Sequence, residues 1–290
     1  MLALFRNLFA PPRDLILIVA AAWLGLSLAE KRTARYNVNT EALNNLIFAG
    51  LLAYLIGGRL LYAAEHISAF VQSPLSLISL NITLFDSWGA LAAAIITGLV
   101  YAQRKRLSLW SALDALTLFF ASLAVGIGLS HLASGAAFGQ ETNVPWAINL
   151  WGAMRHPTQI YEIIASLLTL GLLWFRKADS KPGSDFLLFA ALTAASRLII
   201  EAFRGDSTLV FGGLRAEQII AWLILAISLV ALELLKPHAI PAKVVIEEPA
   251  RIIETKPEEG KHKAPTTAKV RKVAPSKTKS AAAKRKSSKE

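Results

Sequence analysis

Two stretches of this chain seat charged and proton-handling side chains in otherwise apolar sequence. In "RHPTQIYE" (155–162), Arg155, His156 and Pro157 precede an apolar run that contains Tyr161 and Glu162. In "RLIIEAFR" (197–204), Arg197, Glu201 and Arg204 fall at i, i+4 and i+7, one face of a helix. Arg59 and Tyr62 in "GGRLLY" (57–62), His131 in "GLSHLASG" (128–135), Arg215 and Glu217 add to the set. Guanidinium groups hold a phosphate bidentately and stay charged when partly desolvated. Histidine titrates near neutrality and suits a general base. A carboxylate inside an apolar run is costly unless it is paired or has a task. Together these residue types suit the binding of a phosphate-bearing ligand and proton transfer beside it. Read singly, each also fits a bland role: Arg197–Glu201 as an i, i+4 structural pair, and the other arginines as helix caps.

The elements that must position them are read from hydropathy. The chain has 290 residues, 54% hydrophobic and 18% charged, against about a quarter charged in an ordinary globular domain. It has no cysteine, which excludes disulfides, thiolate metal sites and a cysteine nucleophile of its own. Seven apolar segments stand out: Leu15–Ala29, Ala42–Ala64, Leu84–Gln103, Leu107–Leu129, Gln159–Phe175, Asp185–Glu201 and Leu214–Leu235. About 20 residues cross a bilayer core, and fewer suffice where helix ends snorkel. The expected fold is therefore all-α, a polytopic membrane protein with about seven transmembrane helices. Basic residues follow the first segment ("EKRTAR"), the third ("RKR", 104–106), the fifth ("RKADSK") and the seventh. Positive residues favour the cytoplasmic side, so the N-terminus is expected outside and the C-terminus inside.

The net charge of +11 belongs mostly to the end of the chain. From Lys236 onward there are 15 Lys and Arg against 6 Asp and Glu, net +9, leaving +2 for the other 235 residues. Two domains follow, a transmembrane domain over 1–236 and a disordered basic cytoplasmic tail over 237–290. The tail is too poor in apolar residues to fold alone. It is expected to adsorb to anionic lipid of the inner leaflet and to read no specific nucleic acid, since it lacks aromatics to stack bases.

With that topology Arg59, Arg155, Arg197, Arg204 and Arg215 all face outward, against the positive-inside bias. Grouped around Glu162, Glu201 and Glu217, they predict a polar cavity open to the outer leaflet, for which a phospholipid headgroup is the natural ligand. Glu162 is expected within reach of Arg59, Arg197 or Arg215, with Tyr161 facing the same cavity. Arg197 is expected to hold phosphate and to be oriented by Glu201 through their i, i+4 spacing.

"GGRLLY", "RHPTQIYE" and "RLIIEAFR", in that order on a seven-segment body, resemble the bacterial prolipoprotein diacylglyceryl transferases; "AEQIIAWLIL" (216–225) also looks similar. The resemblance runs from about residue 12 to 235. It implies an integral enzyme of the bacterial plasma (inner) membrane in lipoprotein biosynthesis. Such an enzyme moves the diacylglyceryl group of phosphatidylglycerol onto the lipobox cysteine at the signal peptide of a preprolipoprotein. It makes a thioether and releases glycerol phosphate, with no cofactor and no metal. The attacking sulfur belongs to the substrate, consistent with an enzyme lacking cysteine. Carried over by motif, Glu162, Arg197 and Glu201 are implied as catalytic, and Arg59, Tyr62, Arg155, Gln159, Tyr161 and Arg204 as substrate-binding.

Two blocks depart from the family pattern. Trp88 in "DSWGAL" stands where the family has a histidine. In "GLSHLASGAAFG", Gly128 stands at an arginine, His131 at an asparagine and Ala136 at a glutamate. Two outcomes are open. Either His131 and His156 take over proton handling as further catalytic residues, with Arg155 and Arg204 compensating the lost charge, or the protein is a non-catalytic lipid- or lipoprotein-binding membrane relative.

Overall fold

The computed structural model describes residues 2–78, 84–177, 181–210 and 212–235. The boundary at 237 and the basic tail lie outside the described residues. In chain order the elements are α1 (Leu2–Leu8), α2 (Leu15–Glu30), a 3-10 turn (Thr33–Tyr36), α3 (Thr40–Glu65), α4 (Ile67–Gln72), a second 3-10 turn (Pro74–Ile78), α5 (Ser87–Arg104) and α6 (Leu109–Ser134). There follow β1 (Ile148–Leu150), β2 (Ala153–Arg155), α7 (Thr158–Phe175), α8 (Ser184–Glu201), β3 (Leu209–Val210), β4 (Leu214–Arg215) and α9 (Ala216–Leu235).

The fold is helical, and α2, α3 and α5–α9 coincide with the seven apolar segments. Four of them, α3, α6, α7 and α9, are long and apolar enough to cross a membrane by length and composition; α2 is apolar but shorter. Their surfaces remain oily. Trp222, Ile227, Val230 and Leu234 on α9 are all exposed, as lipid-facing side chains would be, because no hydrophobic drive pulls them inward from hydrocarbon.

α6 is the central helix. Its buried face, from Ala112 to Ala133, packs against α2, α7 and α8, while α3 packs on α5 and α8 on α9. Leu43, Leu46 and Ile47 of α3 join Ala112, Ala115, Leu116 and Phe119 of α6 in one apolar cluster; Leu118, Ala121 and Leu173 form another between α6 and α7.

One end of this bundle is tied by polar side chains. The first backbone N–H groups of a helix lack partners within it. At α8 they are met by a residue of another helix: Asp114 of α6 accepts from Gly183 N at 2.5 Å and Phe186 N at 2.9 Å. Asp185 pairs with Arg176 at 2.7 Å and accepts from the Tyr36 hydroxyl. Burial, then the hydrogen bond to Asp185 and its charge, raise the Tyr36 pKa. Arg32 and Arg35 donate to the carbonyls of Leu173 and Arg176 at 3.0 and 2.8 Å, which suits the negative end of α7. These ties fix how far α8 extends toward the opposite end, where Arg197 and Glu201 lie.

Two short ribbons, absent from the all-α expectation, interrupt the helices at that opposite end. β1 pairs antiparallel with β2, and β3 with β4. The first turns through Trp151 and Gly152, both at positive φ, the geometry of a tight hairpin.

Candidate active site

Glu162 is the hub of the site. Pro157 caps the start of α7, and the first turn is tied to the segment after α6: Thr158 Oγ1 donates to Ala137 O at 2.6 Å and Gln159 Nε2 to Ala136 O at 2.8 Å. One turn on, Glu162 points inward and is 8% exposed. Its Oε2 accepts from His131 Nδ1 of α6 at 2.8 Å, and its Oε1 from Arg197 Nη1 of α8 at 2.6 Å. Arg204 Nη1 stands 3.9 Å from Oε1. Gly128 makes the α6–α7 approach possible. A Cβ there would stand 2.9 Å from Ile163 Cγ1 and 3.6 Å from Glu162 Cβ, and His131 follows three residues later on the same side.

Carboxylates extend the network onto α9. Glu217 Oε2 lies 3.1 Å from Arg197 Nε as an ion pair and accepts from Arg204 Nη1 at 3.2 Å. Arg204 Nε also meets Asp206 at 2.9 Å and Glu201 Oε2 at 3.6 Å. Burial disfavours the charge on Arg204, but the Asp206 hydrogen bond and the surrounding carboxylates outweigh it and raise its pKa. Arg215 Nη1 donates to the carbonyls of Glu201 and Arg204 at 2.6 and 2.8 Å, a cation at the negative end of α8. The predicted Arg197–Glu201 pair is therefore corrected: Arg197 spans to α7 and α9, and Glu201 turns fully inward beside Arg204. Position on one face permits an i, i+4 contact, but two carboxylates on neighbouring helices offer Arg197 closer partners.

Arg155, His156 and Tyr161 form a second group. Arg155 meets Glu141 at 3.0 Å, donates to Gly139 O and Leu150 O at 3.3 and 3.2 Å, and lies over Phe138. Tyr161 OH accepts from Trp146 Nε1 at 2.7 Å and lies 3.5 Å from His156 Nδ1. The rings of His156 and Tyr161 both pack on Phe203, just after α8. Gly139 is the tightest point: a Cβ there would lie 2.2 Å from His156 O. Around it Gln140 N donates to Phe203 O, Gly205 N to Phe138 O and His156 N to Gln140 O, stitching the α6–α7 segment to the α8–α9 segment.

Other expected site residues are held elsewhere. Arg59 of α3 donates to the carbonyls of Leu84 and Ser76, both at 2.8 Å, and Tyr62 stacks on His66. The reach from Glu162 that the sequence allowed to Arg59, Arg197 or Arg215 is made by Arg197. Trp88, in the first turn of α5, is 72% exposed. Trp146, Gly139 and Asp206 were not anticipated. The Trp-Gly turn in "INLWGAMR" was the signal for the β1–β2 hairpin; for Asp206 no local pattern existed.

The chemistry follows from these partners. A carboxylate only accepts, so the His131 Nδ1 facing Glu162 carries hydrogen and its Nε2 is left as proton acceptor. Arg197 and Arg204 supply fixed positive charge beside it. The assembly can take a proton from an incoming group next to an anion held by arginine. Leu2, Phe5 and Leu8 of α1 face Leu129 and Leu132 of α6 across an apolar groove of about 540 Å³.

Comparison with known proteins gives a family. Residues 15–234 match the family described as prolipoprotein diacylglyceryl transferase. A phosphatidylglycerol–prolipoprotein diacylglyceryl transferase of Trichormus variabilis is 28% identical over 254 residues, 81% of this chain and 89% of the relative. The protein of the same name from Nostoc sp. is 29% identical over 237 residues, 75% and 82% of the two chains, and that of Clostridium tetani 28% over 190 residues, 62% and 75%.

Proposed function

The chain belongs to the prolipoprotein diacylglyceryl transferase family, and we propose that it is a working transferase whose chemistry is carried by His131, Glu162 and Arg197. The reaction joins the cysteine thiol of a prolipoprotein to the diacylglyceryl group of phosphatidylglycerol. The sulfur attacks the glyceryl carbon that bears the phosphate, forming a C–S bond as the C–O bond breaks. Glycerol phosphate leaves with the bonding pair. The thiol proton passes to His131 Nε2, since the thiolate is the nucleophile. Arg197, with Arg204 beside it, stabilises the charge that grows on the departing phosphate.

The observation that carries this reading is the 2.8 Å contact of His131 with Glu162, itself bound to Arg197. It provides an oriented base where Trp88 offers none. His156, Arg155 and Tyr161 stand at the entry for the peptide, and Gln159 holds the segment above it. The groove between α1 and α6 suits an acyl chain lying beside His131. Arg59 and Tyr62 act on substrate only from the α3 side, away from the Glu162 hub.

The same reading sets the protein across a bacterial inner membrane with seven crossings, N-terminus outside and basic tail in the cytoplasm against anionic lipid. Its support is positional. His131 ends α6, Glu162 begins α7, Arg197 and Glu201 end α8 and Glu217 begins α9, so alternate helices bring all of them to one end. Arg104–Arg106, Arg176 and Lys181 fall at the other end, as positive-inside bias asks.

The test is transfer by purified protein in vesicles containing phosphatidylglycerol, with a lipobox peptide whose cysteine is read by mass. A diacylglyceryl mass gain, lost when the peptide cysteine is replaced by serine, supports the function. No gain at all leaves a lipid-binding relative.

A further inference from the structure

Within the Glu162 network, positive charge is fully matched. Arg197 and Arg204 face Glu162, Glu201, Asp206 and Glu217, and among the described residues their ion pairs at the hub are all with these carboxylates. A phosphodiester therefore finds both arginines already engaged. At the donors that Glu217 bridges, Arg197 Nε and Arg204 Nη1, it can bind only if that carboxylate gives up its place.

The four carboxylates differ in how easily they leave. Glu162 is buried and bound at 2.6 and 2.8 Å from two other helices. Glu201 is fully buried. Asp206 touches Arg204 alone, so its departure frees a single donor. Glu217 is the most exposed, at 40% of its side chain, and makes the longer contacts of 3.1 and 3.2 Å. One of its oxygens bridges Arg197 and Arg204, which is the pair of donors a phosphate oxygen needs. It also sits in the first turn of α9, where a carboxylate released to water keeps a favourable interaction with the helix dipole.

We propose that Glu217 is a resident anion latch: its carboxylate occupies the Arg197–Arg204 cradle in the lipid-free protein, and the headgroup phosphate displaces it on binding. The exchange swaps one negative charge for another, so the hub keeps its charge balance. This rests on the transferase reading for its consequence in turnover, and on the geometry alone for its consequence in lipid binding.

The experiment measures both. Full-length protein, Glu217→Gln and Glu217→Asp are each titrated with phosphatidylglycerol in detergent micelles, and transfer to the lipobox peptide is followed in parallel. Glutamine removes the competing charge, and aspartate withdraws it by one methylene while keeping a carboxylate on α9. Both variants should bind phosphatidylglycerol more tightly, glutamine by at least about fivefold, since the lipid no longer has to break a charge-assisted hydrogen bond and an ion pair to enter the cradle. Apparent KM should fall with it while kcat does not rise. A merely structural pair would give the opposite sign, weaker binding in both variants. Affinity unchanged or reduced in both overturns the latch even if transfer is intact. Tighter binding with no transfer by any of the three proteins keeps the latch and sinks the transferase reading instead.

Discussion

Arg197 reaches from α8 to Glu162 on α7 at 2.6 Å, although Glu201 lies one turn away on its own helix. The choice fixes Glu162 between an arginine and His131, so a single carboxylate orients both the cation and the base. Glu162→Gln keeps the shape and removes the charge. We expect transfer to drop by about 100-fold or more, the scale of losing an oriented general base. Thermal stability should fall too, by less than for a fully buried ion pair, because Arg197 is partly exposed and keeps Glu217. A variant with normal rate would show that Glu162 only ties helices together.

Gly139 joins the two segments that frame the entry. Gly139→Ala would push a methyl into the His156 backbone, at 2.2 Å from its carbonyl oxygen, which cannot move aside as a flexible side chain can. His156 and Phe203 should part, and KM for the peptide should rise more than that for phosphatidylglycerol. Kinetics with each substrate varied in turn checks this; equal effects on both would place the damage at the hub instead.

Topology is tested independently of chemistry. Reporter fusions in the 104–106 loop, in the 176–181 loop and at the C-terminus should all report the cytoplasm. An outside signal from the C-terminus would break the seven-crossing reading and turn the Glu162 hub toward the wrong leaflet.

Among the described residues hydropathy alone located the seven longest helices, because segments apolar nearly all round need no partner pattern. The i, i+4, i+7 spacing put Arg197, Glu201 and Arg204 on one helical face, yet α8 ends at Glu201 with Arg204 beyond it, and the spacing named the wrong partner for Arg197. Local spacing carries no information about Glu217 or Glu162, which arrive from helices that pack only in three dimensions. Arg59 illustrates the same limit: its place near the end of α3 was legible, while its attachment to the Leu84 and Ser76 carbonyls depends on the connection from α4 to α5. The ribbons β1–β2 and β3–β4 were missed because runs of two or three residues fall below any periodic signal, and only the Trp151-Gly152 turn leaves a trace.

The most direct measurement of the central claim is the rate of diacylglyceryl transfer by His131→Ala, taken together with its phosphatidylglycerol affinity and compared with His156→Ala. If His131 is the base that stands in for the histidine Trp88 replaces, its loss lowers kcat by about 100-fold, leaves lipid affinity within a few-fold, and exceeds the effect at His156. Transfer by His131→Ala within a few-fold of the unmutated protein would contradict the account.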